Sequence, residues 1–179
     1  MKRSALVLAF CLVAIPARAS NGDTLHRLRA DILGGQSATQ VLTRWCADLH
    51  LAAPAVISAI KSKETKPASR EIRRQLGAGA NEPIRYRKVA LTCGSHVLSE
   101  ADNWYRPGKL TAAMNRQLDS SDTPFGAVVR GLNFHRKTLD VRERPGPGVI
   151  LQIKAVLVEA TGAPFSLVVE DYQHDLLGR

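Results

Sequence analysis

Charged residues occur in three segments of the chain that otherwise alternate apolar and polar positions, as β-strands do. They are Arg87 in the first segment, Glu100 and Asp102 in the second, and Glu170 in the third. A charge on the covered face of a sheet has to be paired or to bind a ligand, because an unpaired buried charge costs several kcal/mol. The alternation places Arg87 and Glu170 on apolar faces and predicts that they line a pocket, whereas Glu100 and Asp102 fit better as solvent-facing side chains. The alternation alone leaves open that all four face water, because one face of an antiparallel sheet often does.

The sequence contains none of the common local motifs for catalysis or cofactor binding. It lacks a glycine-rich phosphate loop after a strand, a nucleophile elbow, and closely spaced histidine or cysteine pairs. The five histidines are scattered along the chain: His26, His50, His96, His135 and His174. We therefore expect neither a metal ion nor a cofactor.

Composition indicates one soluble globular domain rather than a disordered or multi-span membrane protein. The chain has 179 residues, of which 45% are hydrophobic and 23% charged, and its net charge is +9. The densest basic stretch, residues 61–74, has no aromatic residue that could stack on a base, so nucleic acid is not an expected partner. We assign the surplus of positive charge to a small anionic ligand and expect a monomer.

The first 19 residues have the pattern of a secretory signal peptide. Met1-Lys2-Arg3 is positively charged, Ala5 to Ile15 is an unbroken apolar run, and Ala17-Arg18-Ala19 places small residues before Ser20. The apolar run is shorter than the about 20 residues that a permanent membrane helix needs, which leaves a membrane anchor as the weaker alternative. The sequence thus predicts a signal peptide at 1–19, a single domain at 20–179, a periplasmic or secreted location, and no stable membrane insertion after cleavage.

Two cysteines remain in the predicted mature chain, Cys46 and Cys93. In an oxidising compartment they could form one disulfide bond. They could equally be two buried small apolar side chains, and the spacing does not decide between these alternatives.

The elements that must position Arg87 and Glu170 are two N-terminal helices followed by strands. Helical periodicity predicts a helix after the capping candidate Asp23 and a second helix after Ser37. The charged stretch 61–83 is predicted to be a loop that contains one helical segment at 69–76. A short helix is predicted at 111–118. Strands are predicted at 84–93, 97–105, 132–142, 149–160 and 165–172. Short turns join most of them, so the fold class is α+β, an antiparallel β-sheet with helices on one face.

Several separated blocks resemble the chorismate pyruvate-lyase family, and in particular its exported, chorismate-lyase-like branch. These blocks are Arg87-Lys-Val-Ala-Leu91, Val97-Leu-Ser-Glu-Ala-Asp-Asn-Trp-Tyr-Arg-Pro107, Leu110-Thr111, Met114-Asn115 and Ser121-Asp-Thr-Pro-Phe-Gly126. The resemblance covers residues 84–172 and implies a sheet with helices on one side and an enclosed pocket, a fold related to the ligand-binding sensor domains of transcription regulators. It also implies elimination of pyruvate from chorismate, which leaves 4-hydroxybenzoate.

The resemblance assigns roles to individual residues. Arg87 would clamp the ring carboxylate as a bidentate pair, and Phe125 and Gly126 would present backbone to the same group at a helix start. Glu170 would lie near the ring hydroxyl as the acid/base candidate, although it could instead form an ion pair with a strand Arg or Lys. Asn103 and Lys154 occupy substrate-binding positions where the cytoplasmic enzymes carry arginines.

Three functions therefore follow from the sequence. The first is an exported chorismate lyase, and the alternative is a non-catalytic periplasmic binding protein for an aromatic carboxylate. The third is an interaction protein with a vestigial pocket.

Overall fold

The computed structural model describes residues 20–34 and 37–178. The predicted signal peptide lies outside the described residues. The α-helices are α1 Asn21–Leu33, α2 Ala38–Asp48, α3 Arg70–Gln75, α4 Ala112–Ser120 and α5 Phe125–Val128. The strands are β1 Ile57–Lys61, β2 Arg85–Cys93, β3 His96–Tyr105, β4 His135–Gly146, β5 Val149–Val158 and β6 Pro164–Gln173. Short 3-10 turns occupy Pro107–Lys109, Val129–Leu132 and His174–Leu177.

The strands form one six-stranded antiparallel sheet in the order β1-β2-β3-β6-β5-β4. Each half of the sheet is a meander, β1-β2-β3 and β4-β5-β6, and the two meanders meet where β3 pairs with β6. The predicted α+β class and antiparallel sheet are confirmed. Strand β1 is not among the predicted strands, because a five-residue edge strand is too short to show a clear alternation.

Local sequence explains the first helix. The Ser20 hydroxyl accepts a hydrogen bond from the Asp23 backbone N–H at 3.2 Å, and the Asp23 carboxylate returns to the Ser20 backbone, which forms a capping box. Asp23, predicted as the cap, is therefore the third helical residue, and the cap is Ser20. Leu25, Leu28 and Ile32 are buried on one side of the helix, as their spacing predicted.

A disulfide bond joins α2 to the end of β2. Cys46 and Cys93 are bonded, their Cα atoms are 6.1 Å apart, and 47 positions separate them in the chain. Of the two alternatives that the sequence left open, a disulfide bond or two separate buried cysteines, the structure has the disulfide bond. Val41, Leu42 and Trp45 of α2 are buried in the main core with residues of the sheet.

The second face of the sheet is covered at one end by the segment that contains α3. Leu76 is packed there with Trp104 and Leu167, and the Lys66 carbonyl accepts a hydrogen bond of 2.9 Å from the Trp104 indole. Arg106 fastens the same segment: its Nε lies 2.6 Å from Glu82 Oε1, and its Nη1 donates to the Leu76 carbonyl. Most helical residues thus lie against one face, while the short α3 lies on the other.

No helix within the described ranges is long and apolar enough to cross a membrane.

Candidate functional site

A cavity lies between the sheet and the first turns of α2 and α5. The empty space between its lining residues, including open solvent at the mouth, is about 550 Å³. Its apolar lining consists of Ala38, Val89, Leu91, Ala101, Phe125, Phe134, Leu157 and Val168. Its polar lining consists of Ser37, Thr39, Arg87, Asn103, Arg136 and Glu170, completed by the backbone at Gly126. An apolar body with a few polar groups is the usual character of a pocket for a small organic ligand.

Strand register explains why these polar side chains meet. Arg87 of β2 lies directly opposite Asn103 of β3, and Asn103 lies opposite Val168 of β6. Glu170 follows two positions after Val168 and therefore lies on the same face of the sheet. Both meanders thus contribute polar groups to one cavity.

Arg87 is buried without an acidic partner. The residue is only 8% exposed, and its Nη2 donates a hydrogen bond to the Thr123 carbonyl at 3.3 Å. Nε and Nη1 have no hydrogen-bond partner among the described residues. Burial lowers the pKa of Arg87, and the nearby Tyr105, Asp122 and Asp119 act in the opposite direction. A guanidinium remains charged at neutral pH, so the cavity holds a cation with free donors.

Glu170 is also buried, as the alternation predicted, but it is paired. Arg136 of β4 donates to it through both terminal nitrogens, and the Tyr172 hydroxyl donates to Oε2 at 3.0 Å. Burial is the largest single influence on the pKa of Arg136 and lowers it, but Glu170 and Tyr172 together outweigh burial, so the pKa is raised. Burial, followed by the Glu170 charge, raises the pKa of Tyr172 well above its ordinary value. Glu170 thus forms an ion pair with a strand arginine, Arg136, which was the predicted alternative to an acid/base role.

Asn103 is held by a neighbour on β6. The Ser166 hydroxyl lies 2.6 Å from Asn103 Oδ1, and both residues are buried. The amide nitrogen Nδ2 has no hydrogen-bond partner in the part of the chain that the structure describes.

Phe125 and Gly126 form the start of α5 beside α2. The Phe125 ring lies 5.3 Å from the ring of Tyr105 and is stacked at 6.4 Å with Phe165. A Cβ atom on Gly126 would lie 2.7 Å from Ser37 Oγ and 3.2 Å from Thr39 Oγ1. The glycine therefore allows α5 to approach the first turn of α2.

Lys154 is not part of this cavity, and its placement there is corrected. It lies between Ile153 and Ala155 on β5, so its side chain lies on the other face of the sheet from theirs. Its paired residues in the neighbouring strands are Asp140 and Val169. Glu100 and Asp102 are also directed away from the cavity, because they alternate with Ala101 and Asn103 along β3.

Arg136 was not identified from the sequence. The segment 135–144 contains five Lys, Arg or His residues, so the sequence does not show which of them is buried. Its position two residues after Phe134, which also lines the cavity, was the available signal.

Comparison with known proteins identifies relatives by sequence and by fold. The chain matches no protein-family model. It is 41% identical over 177 aligned residues to the uncharacterized protein y4mC of Sinorhizobium fredii, a match that covers 86% of this chain and 75% of that protein. The chain belongs to the family of y4mC.

Several solved structures share the fold of this chain, although their sequences are less than 20% identical to it. The effector domain of PhnF from Mycobacterium smegmatis superposes with a TM-score of 0.57 and 11% identity over 79% of this chain and 90% of that domain. The match to a longer PhnF chain covers only 66% of that chain. The ligand-binding domain of a GntR-family transcriptional regulator from Bordetella bronchiseptica gives a TM-score of 0.52 and 18% identity, over 66% of this chain and 83% of that one. These similarities establish the fold of GntR-family ligand-binding and effector domains.

The comparisons correct one expectation. The exclusion of nucleic acid as a partner was wrong as a general statement, because the fold occurs in proteins described as transcriptional regulators. Absence of a basic, aromatic-rich surface in one domain gives no information about a partner reached through another domain.

Proposed function

We propose that this protein binds a small aromatic monocarboxylate in the cavity and that Arg87 pairs with the carboxylate. The observation that carries the proposal is the buried guanidinium with Nε and Nη1 unpartnered beside an apolar cavity. A buried donor without a partner is costly, and a carboxylate would satisfy two donors at once as a bidentate pair.

The charges in the cavity favour one negative charge on the ligand. Arg87 and Arg136 are cations and Glu170 is an anion, but Arg136 and Glu170 already neutralise one another. One positive charge is left for the ligand among the described lining residues. A monocarboxylate balances it, whereas a dianion such as chorismate would leave one buried negative charge without a counter-charge.

The apolar lining favours a ring as the body of the ligand. Phe125 and Phe134 lie with aliphatic side chains around the cavity. Aromatic side chains stack readily on planar rings, which fits the aromatic carboxylate implied by the family resemblance.

Binding of benzoate and 4-hydroxybenzoate, measured by calorimetry, tests the proposal. Arg87→Ala should weaken both by about 10–100-fold, since a charge-assisted bidentate pair is lost. Lys88→Ala is the matched control, because Lys88 is the next residue of β2, lies on the other face and pairs with Glu64 at 3.0 Å. Equal affinity of wild type and Arg87→Ala, or no binding of either ligand to wild type, would contradict the proposal.

Elimination of pyruvate from chorismate is the second candidate function. It is supported by the sequence blocks at 97–107 and 121–126 and by a glutamate in the cavity wall. Incubation with chorismate, followed by chromatography for 4-hydroxybenzoate, tests it. Product that is lost in both Arg87→Ala and Glu170→Gln would support a lyase, and absence of product at high enzyme concentration would reject it.

We also propose that the protein is exported. The disulfide bond supports this location, since such bonds persist mainly in oxidising compartments. N-terminal sequencing of protein recovered from the periplasm of a bacterial host should give Ser20 as the first residue. An intact Met1 on cytoplasmic protein would contradict it.

A further inference from the structure

The hydrogen bond between Ser166 and Asn103, a residue that lines the cavity, uses the oxygen of the amide. The distance of 2.6 Å from Ser166 Oγ is within the usual range for O–H···O and shorter than that for N–H···O. The atom next to Ser166 is therefore the oxygen Oδ1, which accepts the hydroxyl proton. The nitrogen Nδ2 points the other way and is buried without a partner.

Buried side-chain atoms without partners around the cavity are all donors. They are Arg87 Nε, Arg87 Nη1, Arg136 Nε and Asn103 Nδ2. The oxygens of Asn103 and Glu170 already accept hydrogen bonds from Ser166, Arg136 and Tyr172. A ligand that fills the cavity must therefore supply acceptors at more than one point.

We infer that the ligand carries a second, uncharged acceptor oxygen that Asn103 recognises, and that Ser166 positions the Asn103 amide for this task. The inference rests on the proposed function, because it adds a specificity to the same carboxylate site. Asn103 is neutral, and the carboxylate on Arg87 already balances the net charge of the cavity. The second acceptor is therefore an ether, carbonyl or hydroxyl oxygen rather than a second carboxylate.

Pairs of ligands with the same shape isolate this oxygen. In a methoxybenzoate the ring substituent contains an ether oxygen, and in the corresponding ethylbenzoate a CH₂ group replaces it. Affinities for the 2-, 3- and 4-isomers of both compounds are measured with wild type, Asn103→Leu and Ser166→Ala. For each protein, the ratio of the two dissociation constants reports recognition of the oxygen, because both ligands share the ring and the carboxylate.

For at least one isomer, we expect wild type to prefer the methoxy compound over the ethyl compound more strongly than Asn103→Leu does. The two ratios should differ by about 2–10-fold, which is the range for a neutral hydrogen bond. Ser166→Ala should move the ratio toward that of Asn103→Leu, while its affinity for the ethylbenzoate stays within about twofold of wild type. Circular dichroism spectra that match wild type show that both variants are folded.

Three other results would each reject a different statement. An unchanged ratio for all three isomers, with benzoates still bound, rejects the role of Asn103, and a wild-type ratio in Ser166→Ala rejects the positioning role of Ser166. Failure of every benzoate to bind wild type rejects the proposed function itself.

Discussion

Two buried arginines in the same cavity have different environments. Arg136 is neutralised by Glu170, whose side chain is 8% exposed, whereas Arg87 has one carbonyl partner and two free nitrogens. A fold gains nothing from a buried donor without a partner, so Arg87 is explained by ligand binding rather than by stability. Binding sites commonly carry such locally unfavourable groups.

We therefore predict opposite effects of two equivalent substitutions on the unliganded protein. Arg87→Leu should raise the free energy of unfolding by about 1–2 kcal/mol, because it removes unsatisfied buried donors. Arg136→Leu should lower it by about 3–5 kcal/mol, because it leaves the Glu170 carboxylate buried and unpaired. Urea unfolding monitored by tryptophan fluorescence measures both, and a similar loss in the two variants would contradict the interpretation of Arg87.

Alternation in the sequence predicted that Arg87 and Glu170 are buried, since each lies among apolar residues of its strand. It could not predict the partner of Glu170, because pairing depends on which strand lies two positions away in the sheet, and Arg136 reaches Glu170 from β4. The orientation of the Asn103 amide could not be predicted either, because its hydrogen-bond partner Ser166 is 63 positions away in sequence.

At the scale of the elements, the start of α5 packs against the start of α2 beside the cavity. Gly126 makes this approach possible, and a methyl group there would meet Ser37 and Thr39. We predict that Gly126→Ala weakens benzoate binding by about 3-fold or more, because the Ser37 and Thr39 hydroxyls that line the cavity have to move and the shape of the site changes.

Gly108→Ala is the control for Gly126→Ala, because a Cβ at Gly108 would meet nothing within 4 Å. Circular dichroism should show both variants folded. Unchanged affinity in Gly126→Ala would mean that the α2–α5 contact does not shape the site.

The segment before β2 is fastened to the sheet by an ion pair that should respond to pH. Hydrogen bonds from Arg106 lower the pKa of Glu82 below its ordinary value. A lowered carboxyl pKa stabilises the fold above the ordinary value, and this contribution disappears as the pH falls through the lowered pKa.

We predict that Glu82→Gln is less stable than wild type at pH 7 and that the difference shrinks below pH of about 4, the ordinary range for glutamate. Urea unfolding at a series of pH values from 7 to 3 measures this. Glu64→Gln, at an exposed ion pair with Lys88, is the control and should show a smaller difference at pH 7. A difference for Glu82→Gln that does not change with pH would contradict the role of its charge.

Most elements were predictable because they are long and periodic, as in β2, β3, β5 and β6. The position of α3 on the second face was not, because six residues carry little periodic signal. Leu76 and Ile72 are packed there against Trp104, a residue that faces away from the cavity on β3.

At the scale of the whole molecule, the disulfide bond links the helical layer to the sheet. It joins Cys46 of α2 to Cys93 of β2 across 47 positions, and these two elements form opposite walls of the cavity. We predict that the double variant Cys46→Ala/Cys93→Ala lowers the free energy of unfolding by about 2–4 kcal/mol, mainly through the unfolded chain.

Thermal unfolding of the double variant and of wild type, each with and without reducing agent, measures this effect. Reducing agent should destabilise wild type and leave the double variant unchanged. Equal stability of all four samples would show that the bond contributes little.

The pairing of β3 with β6 has a consequence for how the site comes into being. Arg87 and Asn103 belong to the first meander, and Arg136 and Glu170 belong to the second, so neither half of the chain contains a binding site. Two fragments, separated between α5 and β4 and mixed after synthesis, would acquire affinity for benzoate only on assembly. An aromatic acid added to the mixture would then act as a template that drives the two halves together, and the yield of reconstituted protein would rise with its concentration.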